Sequence, residues 1–210
     1  QACMPSRRST AYLILEDNPY GDLQLLRRAC AADQEPGRGR PCRLLRLFSN
    51  GHLPGIRVGY AIAPQTLLQK MIVCKQGEDV HTNIWSQLVC NELMTKYDFD
   101  AHLERLRTIY REKSAFTMKL LDEHLVPHGV TYLPIEGGLF LWCTLPDGVD
   151  MPAFCKEAVL RKVCVVPGNA FLTDENEPCQ SFRINYSTPT NEQLEKGIRI
   201  LGELAAEVCR

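Results

Sequence analysis

The sequence predicts an α/β chain in which a sheet with helices is followed by a second, smaller α+β domain. Short apolar runs separated by Gly- and Pro-containing turns predict strands at residues 10–16, 43–48 and 56–63. From residue 64 to 126, apolar side chains instead recur at helical spacing between charged ones. This long helical region is able to bridge two domains.

After Pro127 the pattern changes again. Strands are expected at residues 130–133, 139–144, 163–166 and 181–186, and a helix at residues 151–161. A final amphipathic helix is expected from Glu192 to Val208, with Thr190 or Asn191 as its N-cap. Gly137 and Gly138 are expected to allow close backbone packing where the strand at residues 139–144 begins.

Composition excludes several classes of function. The 24 basic and 25 acidic side chains leave a formal charge of −1, which provides no basic surface for nucleic acid or an acidic membrane. No apolar run approaches the roughly 18 residues that a membrane-spanning helix needs. Ten cysteines include no C-x-x-C pair, so neither a metal site nor a disulfide framework is predicted. We expect free, mostly buried thiols and a cytoplasmic location, with Cys90, Cys143, Cys155 and Cys164 in apolar stretches.

Four segments carry the functional argument: EDNPY at residues 16–20, FSNGHLPGIRVGY at 48–60, PIEGGLFLW at 134–142, and VVPG at 165–168 leading through Phe171 to FRINYS at 182–187. In this order and at these separations they resemble the class I/II aminotransferases of fold type I, which depend on pyridoxal 5'-phosphate (PLP). The resemblance is to the branch of 2-aminoadipate/kynurenine aminotransferases and of MocR-type regulator effector domains.

The resemblance implies a domain organisation. Residues 1–76 would be the C-terminal part of the PLP-binding large domain, residues 77–126 connecting helices, and residues 127–210 a complete small domain. A full relative would carry another stretch of comparable length before residue 1, so the chain is expected to be a truncated, C-terminal half. Such enzymes transfer an amino group between an amino acid and a 2-oxo acid, usually as homodimers.

The resemblance also implies roles for individual residues. Asp17 would keep the cofactor's ring nitrogen protonated, and Tyr20 would hydrogen-bond its ring hydroxyl. Ser49 and Arg57 would bind its phosphate, although Leu47 stands where a second serine is expected. Arg183 would bind the α-carboxylate of the substrate.

The chemistry of these side chains agrees with those roles, but other interpretations exist. A guanidinium group donates two parallel, charge-assisted hydrogen bonds to a phosphate or a carboxylate. Arg183 lies inside an apolar strand, where a lone charge is costly unless it is paired. Its structural alternative is therefore a buried ion pair with a nearby acid. The alternatives are a solvated loop charge for Arg57 and a polar turn at the end of a strand for Asp17 and Tyr20.

Asn50 occupies the position of the family's catalytic lysine, which holds PLP covalently and moves a proton between substrate and cofactor. An amide is not a nucleophilic amine and has no titratable proton near neutral pH, so covalent attachment of PLP is not expected. His52 is interpreted as a solvated loop residue, and Lys70 and Lys75 as surface charges on the next helix. Asn50 is open to three explanations: natural loss in a binding protein, a substitution in this copy, or degeneration of a fragment.

The sequence therefore predicts an aminotransferase-family protein with impaired turnover, acting on amino acids and 2-oxo acids with PLP as cofactor. The alternatives are a non-catalytic effector domain that binds PLP or an amino acid, and a degenerate fragment that binds nothing.

Overall fold

A computed structural model describes residues 14–17, 20–25, 42–47 and 55–209. The chain divides into two compact units. The first comprises residues 1–24 and 28–106, and the second comprises residues 25–27 and 107–210. Helices and sheets occur in both units, so the predicted α/β class is confirmed.

The first unit contains a three-stranded sheet in the order β1-β2-β3, formed by Ile14–Asp17, Cys42–Leu47 and Gly59–Ile62. Strand β1 runs parallel to β2, with Asp17 opposite Leu45. Strand β3 runs antiparallel to β2, with Leu47 opposite Gly59. The carboxyl ends of β1 and β2 and the amino end of β3 therefore lie at one edge of this sheet.

Three helices follow the first sheet: α1 (Gln65–Glu78), α2 (Ile84–Lys96) and α3 (Phe99–His124). The side chain of Asn83 caps α2 by accepting a hydrogen bond from the Ser86 amide at 3.1 Å. Helix α1 buries none of its residues. Several large apolar side chains of α1 and α2 are exposed, among them Ile72, Val73, Trp85 and Leu88.

The second unit is built on a four-stranded antiparallel sheet in the order β4-β5-β7-β6. Its strands are β4 (Thr131–Tyr132), β5 (Phe140–Thr144), β6 (Val166–Pro167) and β7 (Ser181–Asn185). Burial alternates along β5 and β7, because successive side chains of a strand point to opposite faces. One face is buried and contains Leu141, Cys143, Phe182 and Ile184; the other is half-exposed.

Two helices complete this unit and contribute to its core: α4 (Met151–Leu160) and α5 (Asn191–Val208). Thr190 begins α5 with a reciprocal pair of hydrogen bonds to Gln193, which confirms an N-cap at the predicted place. Short 3₁₀ turns lie at Val126–His128 and Gly168–Phe171.

Three details of the sequence interpretation are wrong. The strand expected at residues 163–166 is reduced to Val166–Pro167. Cys164 is exposed, whereas Cys90, Cys143 and Cys155 are buried as expected. Gly138 is needed for its positive φ of 79° rather than for close packing, because a Cβ there would meet nothing within 4 Å.

Seven of the cysteines in the described part of the chain are free thiols: Cys74, Cys90, Cys143, Cys155, Cys164, Cys179 and Cys209. None of the helices among the described residues is long and apolar enough to cross a membrane.

Candidate functional site

The register of the first sheet brings candidate cofactor-binding residues to one edge. Asp17 is the last residue of β1, and the half-buried Tyr20 follows it in a turn closed by a hydrogen bond from the Leu23 amide to the Tyr20 carbonyl, at 2.9 Å. Arg57 lies two residues before the amino end of β3, which is at the same edge. The backbone positions of Asp17, Tyr20 and Arg57 therefore lie at or next to one edge of this sheet.

Arg57 has an unusual backbone. Its φ is 56°, in the left-handed region that residues other than glycine rarely adopt. Its side chain is exposed, whereas the next residue, Val58, is buried. Such conformations occur preferentially at binding and catalytic sites. This observation favours a binding role over that of a solvated loop charge.

Ser49, Asn50 and His52 lie outside the described residues. The segment that contains them joins Leu47, at the carboxyl end of β2, to Gly59, at the amino end of β3. Lys70 and Lys75 are exposed on α1, and Lys75 forms an ion pair with Asp79 at 2.8 Å. Their interpretation as surface charges is confirmed.

In the second unit, Arg183 lies on the half-exposed face of the sheet among aromatic rings. Its guanidinium carbon lies 4.0 Å from the centroid of the Phe140 ring and 4.6 Å from that of the Phe171 ring. Trp142, opposite Arg183 on β5, meets the Phe171 ring edge-on at 5.5 Å. Rings at these distances stabilise a cation through their electron-rich faces.

No carboxylate among the described residues is within ion-pair distance of Arg183, and no hydrogen bond to its side chain is formed there. The alternative of a buried ion pair therefore has no support in this part of the chain. The donors of the guanidinium group can reach an external anion, because Arg183 is only half-buried.

The turn that follows Arg183 is held by two sets of hydrogen bonds. The Asn185 carboxamide oxygen accepts from the Ser187 amide at 2.9 Å and from its hydroxyl at 2.8 Å. The Lys113 ammonium donates to the Ser187 carbonyl at 2.7 Å and to the Pro189 carbonyl. Burial lowers the pKa of Lys113. The turn between β7 and α5 is thus fixed from two sides.

Sequence reasoning missed the aromatic environment of Arg183 and the role of Lys113. Phe140 and Trp142 alternate on β5, and this pattern identifies their shared face. Phe171 and Lys113 are distant in sequence from Arg183, and no local pattern connects them to it. Within the described residues, no group of three His, Cys, Asp or Glu side chains is arranged to hold a metal ion.

Arg57 in the first unit is exposed and Arg183 in the second is half-buried, and a guanidinium group can donate two charge-assisted hydrogen bonds to a phosphate or a carboxylate. Residues 50–201 match the family model of the class I and II aminotransferases. The chain belongs to this family. Its members use PLP, in agreement with the cofactor predicted from the sequence.

Similar proteins come from bacteria, archaea and mammals. The 2-aminoadipate transaminase of Thermus thermophilus is 34% identical over 193 residues, which cover 90% of this chain and 48% of that protein. The aromatic-amino-acid aminotransferase 1 of Thermococcus litoralis is 32% identical, over 93% of this chain and 46% of that protein. The chain therefore spans about half the length of these relatives.

A solved structure agrees with these matches. The chain superimposes with a TM-score of 0.87 and 31% identity on LysN, the alpha-aminoadipate aminotransferase of Thermus thermophilus. The match covers 97% of this chain and 52% of LysN, which was solved in complex with N-(5'-phosphopyridoxyl)-L-leucine.

A second kind of relative is a regulator. The HTH-type transcriptional regulator YdfD of Bacillus subtilis is 23% identical over 212 residues, which cover 96% of this chain and 41% of the regulator. The predicted resemblance to both aminotransferases and regulators of this type is confirmed.

Proposed function

We propose that this chain is the C-terminal half of a PLP-dependent aminotransferase, with residues 127–210 as its small domain, and that Arg183 binds the α-carboxylate of an amino acid or a 2-oxo acid. The observation that carries the proposal is the state of Arg183. It is half-buried, and the described residues offer it no acid. A guanidinium group whose N–H donors no acid occupies can donate two parallel, charge-assisted hydrogen bonds to a carboxylate.

The donor set of the first unit fits PLP. A phosphate is bound well by a guanidinium group, here Arg57, with the Ser49 hydroxyl as a further donor. Asp17 would hold a proton on the ring nitrogen, and the Tyr20 phenol would donate a hydrogen bond to the ring oxygen. PLP, when bound, supplies an electron sink for negative charge at the substrate Cα.

Asn50 would limit the chemistry of the chain. Its amide forms no covalent bond to PLP and takes no proton from the substrate Cα near neutral pH. We therefore expect binding of cofactor and substrate without efficient turnover.

The test is the intact mass of the chain after incubation with PLP and reduction with borohydride. The Asn50→Lys variant should carry a reduced PLP adduct that peptide mapping places at position 50. The parent chain should carry none there. A variant carrying both Asn50→Lys and Arg57→Leu is the control, and its adduct should form only at higher PLP concentration. An Asn50→Lys variant without adduct would show that residues 1–210 do not form the cofactor site.

The exposed apolar side chains of α1 and α2 support a homodimer. Trp85 is 74% exposed and Val73 64% exposed, and surfaces of this kind typically mark protein–protein contacts. The Trp85→Ser variant should sediment as a monomer at concentrations at which the parent chain is a dimer. A parent chain that is monomeric throughout would contradict this part of the proposal.

The second candidate function is a non-catalytic effector domain of a MocR-type regulator. It is favoured by the similarity to YdfD over nearly the whole chain and by Asn50. Such a domain would bind PLP or an amino acid without turnover. The sequence of the full gene decides between the two, because a DNA-binding winged helix before residue 1 would identify the regulator.

A further inference from the structure

The aromatic rings around Arg183 come from two separate elements of the second unit. Phe140 lies on β5, on the same half-exposed face as Arg183. Phe171 ends the 3₁₀ turn Gly168–Phe171, which follows β6 on the other side of β7. The guanidinium group therefore contacts one ring from each side of its own strand β7.

The position of Phe171 is set by an unusually close backbone approach. Strand β6 pairs with β7 through Val166 opposite Arg183, and the chain then turns at Gly168. A Cβ at Gly168 would collide with the Ser181 carbonyl oxygen and would lie 2.7 Å from the Cys179 sulfur. Only glycine allows the turn to lie this close to β7. Its closeness brings Phe171 over Arg183.

The turn continues into a segment that is itself held in place. The Asn169 side-chain amide donates to the Glu175 carbonyl at 3.1 Å, and the Leu172 amide donates to the Asn169 carbonyl at 3.0 Å. Phe171 is nevertheless 47% exposed. Burial of its own ring is therefore incomplete, and the ring contacts Arg183 and Trp142.

A ring face differs from an acid in what it does to the guanidinium group. An acidic partner would occupy the N–H donors and would compete with a ligand for them. A ring face stabilises the positive charge and leaves the in-plane donors available. Because the rings already restrict the Arg183 side chain, it loses less conformational entropy when a carboxylate binds, and this favours binding.

We propose that Phe140 and Phe171 are positioning residues that hold the Arg183 guanidinium group in place for a carboxylate while leaving its donors free. This inference rests on the proposed role of Arg183. It extends that role by assigning a function to the VPGNAF segment, in which Gly168 allows the close turn and Phe171 supplies the ring.

The first arm of the test is NMR spectroscopy of the arginine Nε–H groups in the 210-residue chain, with Arg183→Lys used for assignment. The Arg183 signal should be shifted upfield by the ring currents. Phe171→Leu should move it downfield, towards the signals of the exposed arginines. The conservative variant Phe171→Tyr should keep the parental signal. An Arg183 signal unaffected by Phe171→Leu would overturn the proposal, whether or not any ligand binds.

The second arm measures ligand binding through Trp142 fluorescence. The chain has two tryptophans, so a Trp85→Phe background leaves Trp142 as the only reporter. The probe is L-leucine, and the matched probe without a carboxylate is L-leucinamide. Phe171→Leu should weaken L-leucine binding about three- to tenfold, with L-leucinamide unaffected, and Phe171→Tyr should bind like the parent.

The reference variant Arg183→Lys separates the two levels of the proposal. If it leaves the preference for L-leucine over L-leucinamide unchanged, or if the parent chain shows no such preference, the proposed role of Arg183 is wrong. If Arg183→Lys removes the preference while Phe171→Leu and Phe140→Leu retain parental affinity, Arg183 binds the carboxylate, and the positioning role of the rings is overturned.

Discussion

Two glycines of α5 make it possible to isolate the energetic cost of one close helix contact. A Cβ built on Gly202 would lie 2.6 Å from the His124 carbonyl oxygen and 3.0 Å from the His124 Cβ, at the end of α3. A Cβ built on Gly197 would meet only the Val163 side chain, at an ordinary 3.8 Å. The same substitution, Gly→Ala, should therefore be more favourable at Gly197 than at Gly202.

The magnitudes follow from two terms. In a helix interior, alanine is favoured over glycine by roughly 1 kcal/mol, and this term applies to both positions. At Gly202 the helix must also move by about 0.7–1 Å to restore an ordinary C···O separation. The neighbouring Leu201, Leu204 and Ala205 are at most 1% exposed, so the move disturbs a close-packed core at a cost of about 1–3 kcal/mol.

The difference between the two variants isolates the steric term, because the helix propensity cancels. We expect Gly197→Ala to be up to about 1 kcal/mol more stable than the parent. Gly202→Ala should be less stable than Gly197→Ala by about 1–3 kcal/mol. Urea unfolding followed by circular dichroism at 222 nm measures both, with unchanged slopes as the sign of an unaltered unfolded state. Equal free energies of unfolding for the two variants would refute the argument.

Three further predictions concern the second unit. Burial raises the pKa of the Cys143 thiol from 9.0 to about 12; the stability that its neutral form provides is therefore intact below pH 9 and lost as the pH rises towards 12. The free energy of unfolding should fall there by up to about 1.4 kcal/mol per pH unit, and less steeply in Cys143→Ala. Tyr186→Phe removes a 2.6 Å hydrogen bond from the buried phenol to the Gly138 carbonyl. It should lower the free energy of unfolding in urea by about 1–2 kcal/mol. A variant as stable as the parent would contradict this hydrogen bond. Thr190→Ala should lower the free energy of unfolding by about 1 kcal/mol and Thr190→Ser much less, because the serine hydroxyl can still cap α5.

Local pattern was sufficient for most of the secondary structure. Short runs at residues 139–144 and 181–186 predicted β5 and β7, and amphipathic spacing predicted α5 with an N-cap at Thr190 or Asn191. The length of strand β6 was overestimated, because a short apolar run of Val and Cys is compatible with either a strand or a loop. Gly138 was assigned the wrong reason, because a positive φ and a close contact both select glycine, and the sequence does not distinguish them.

The candidate site was predictable only in part. Asp17, Tyr20, Arg57 and Arg183 were predicted as site residues from residue types at fixed separations within motifs. That the first three lie at one sheet edge depends on the register of β1, β2 and β3. Whether Arg183 had an acidic partner was also undecided, because the sequence contains many acids and does not tell which of them are near.

By itself, the sequence determined the α/β class, the membership of the aminotransferase family, and the absence of a lysine at position 50. These properties depend on local periodicity and on residue identities, and both can be read directly from the sequence. Only the tertiary structure decided what surrounds Arg183. The rings of Phe140 and Phe171 reach it through the pairing of β5 and β6 with β7 and through the close turn at Gly168. Contacts between residues far apart in sequence arise from packing, and no local pattern encodes them.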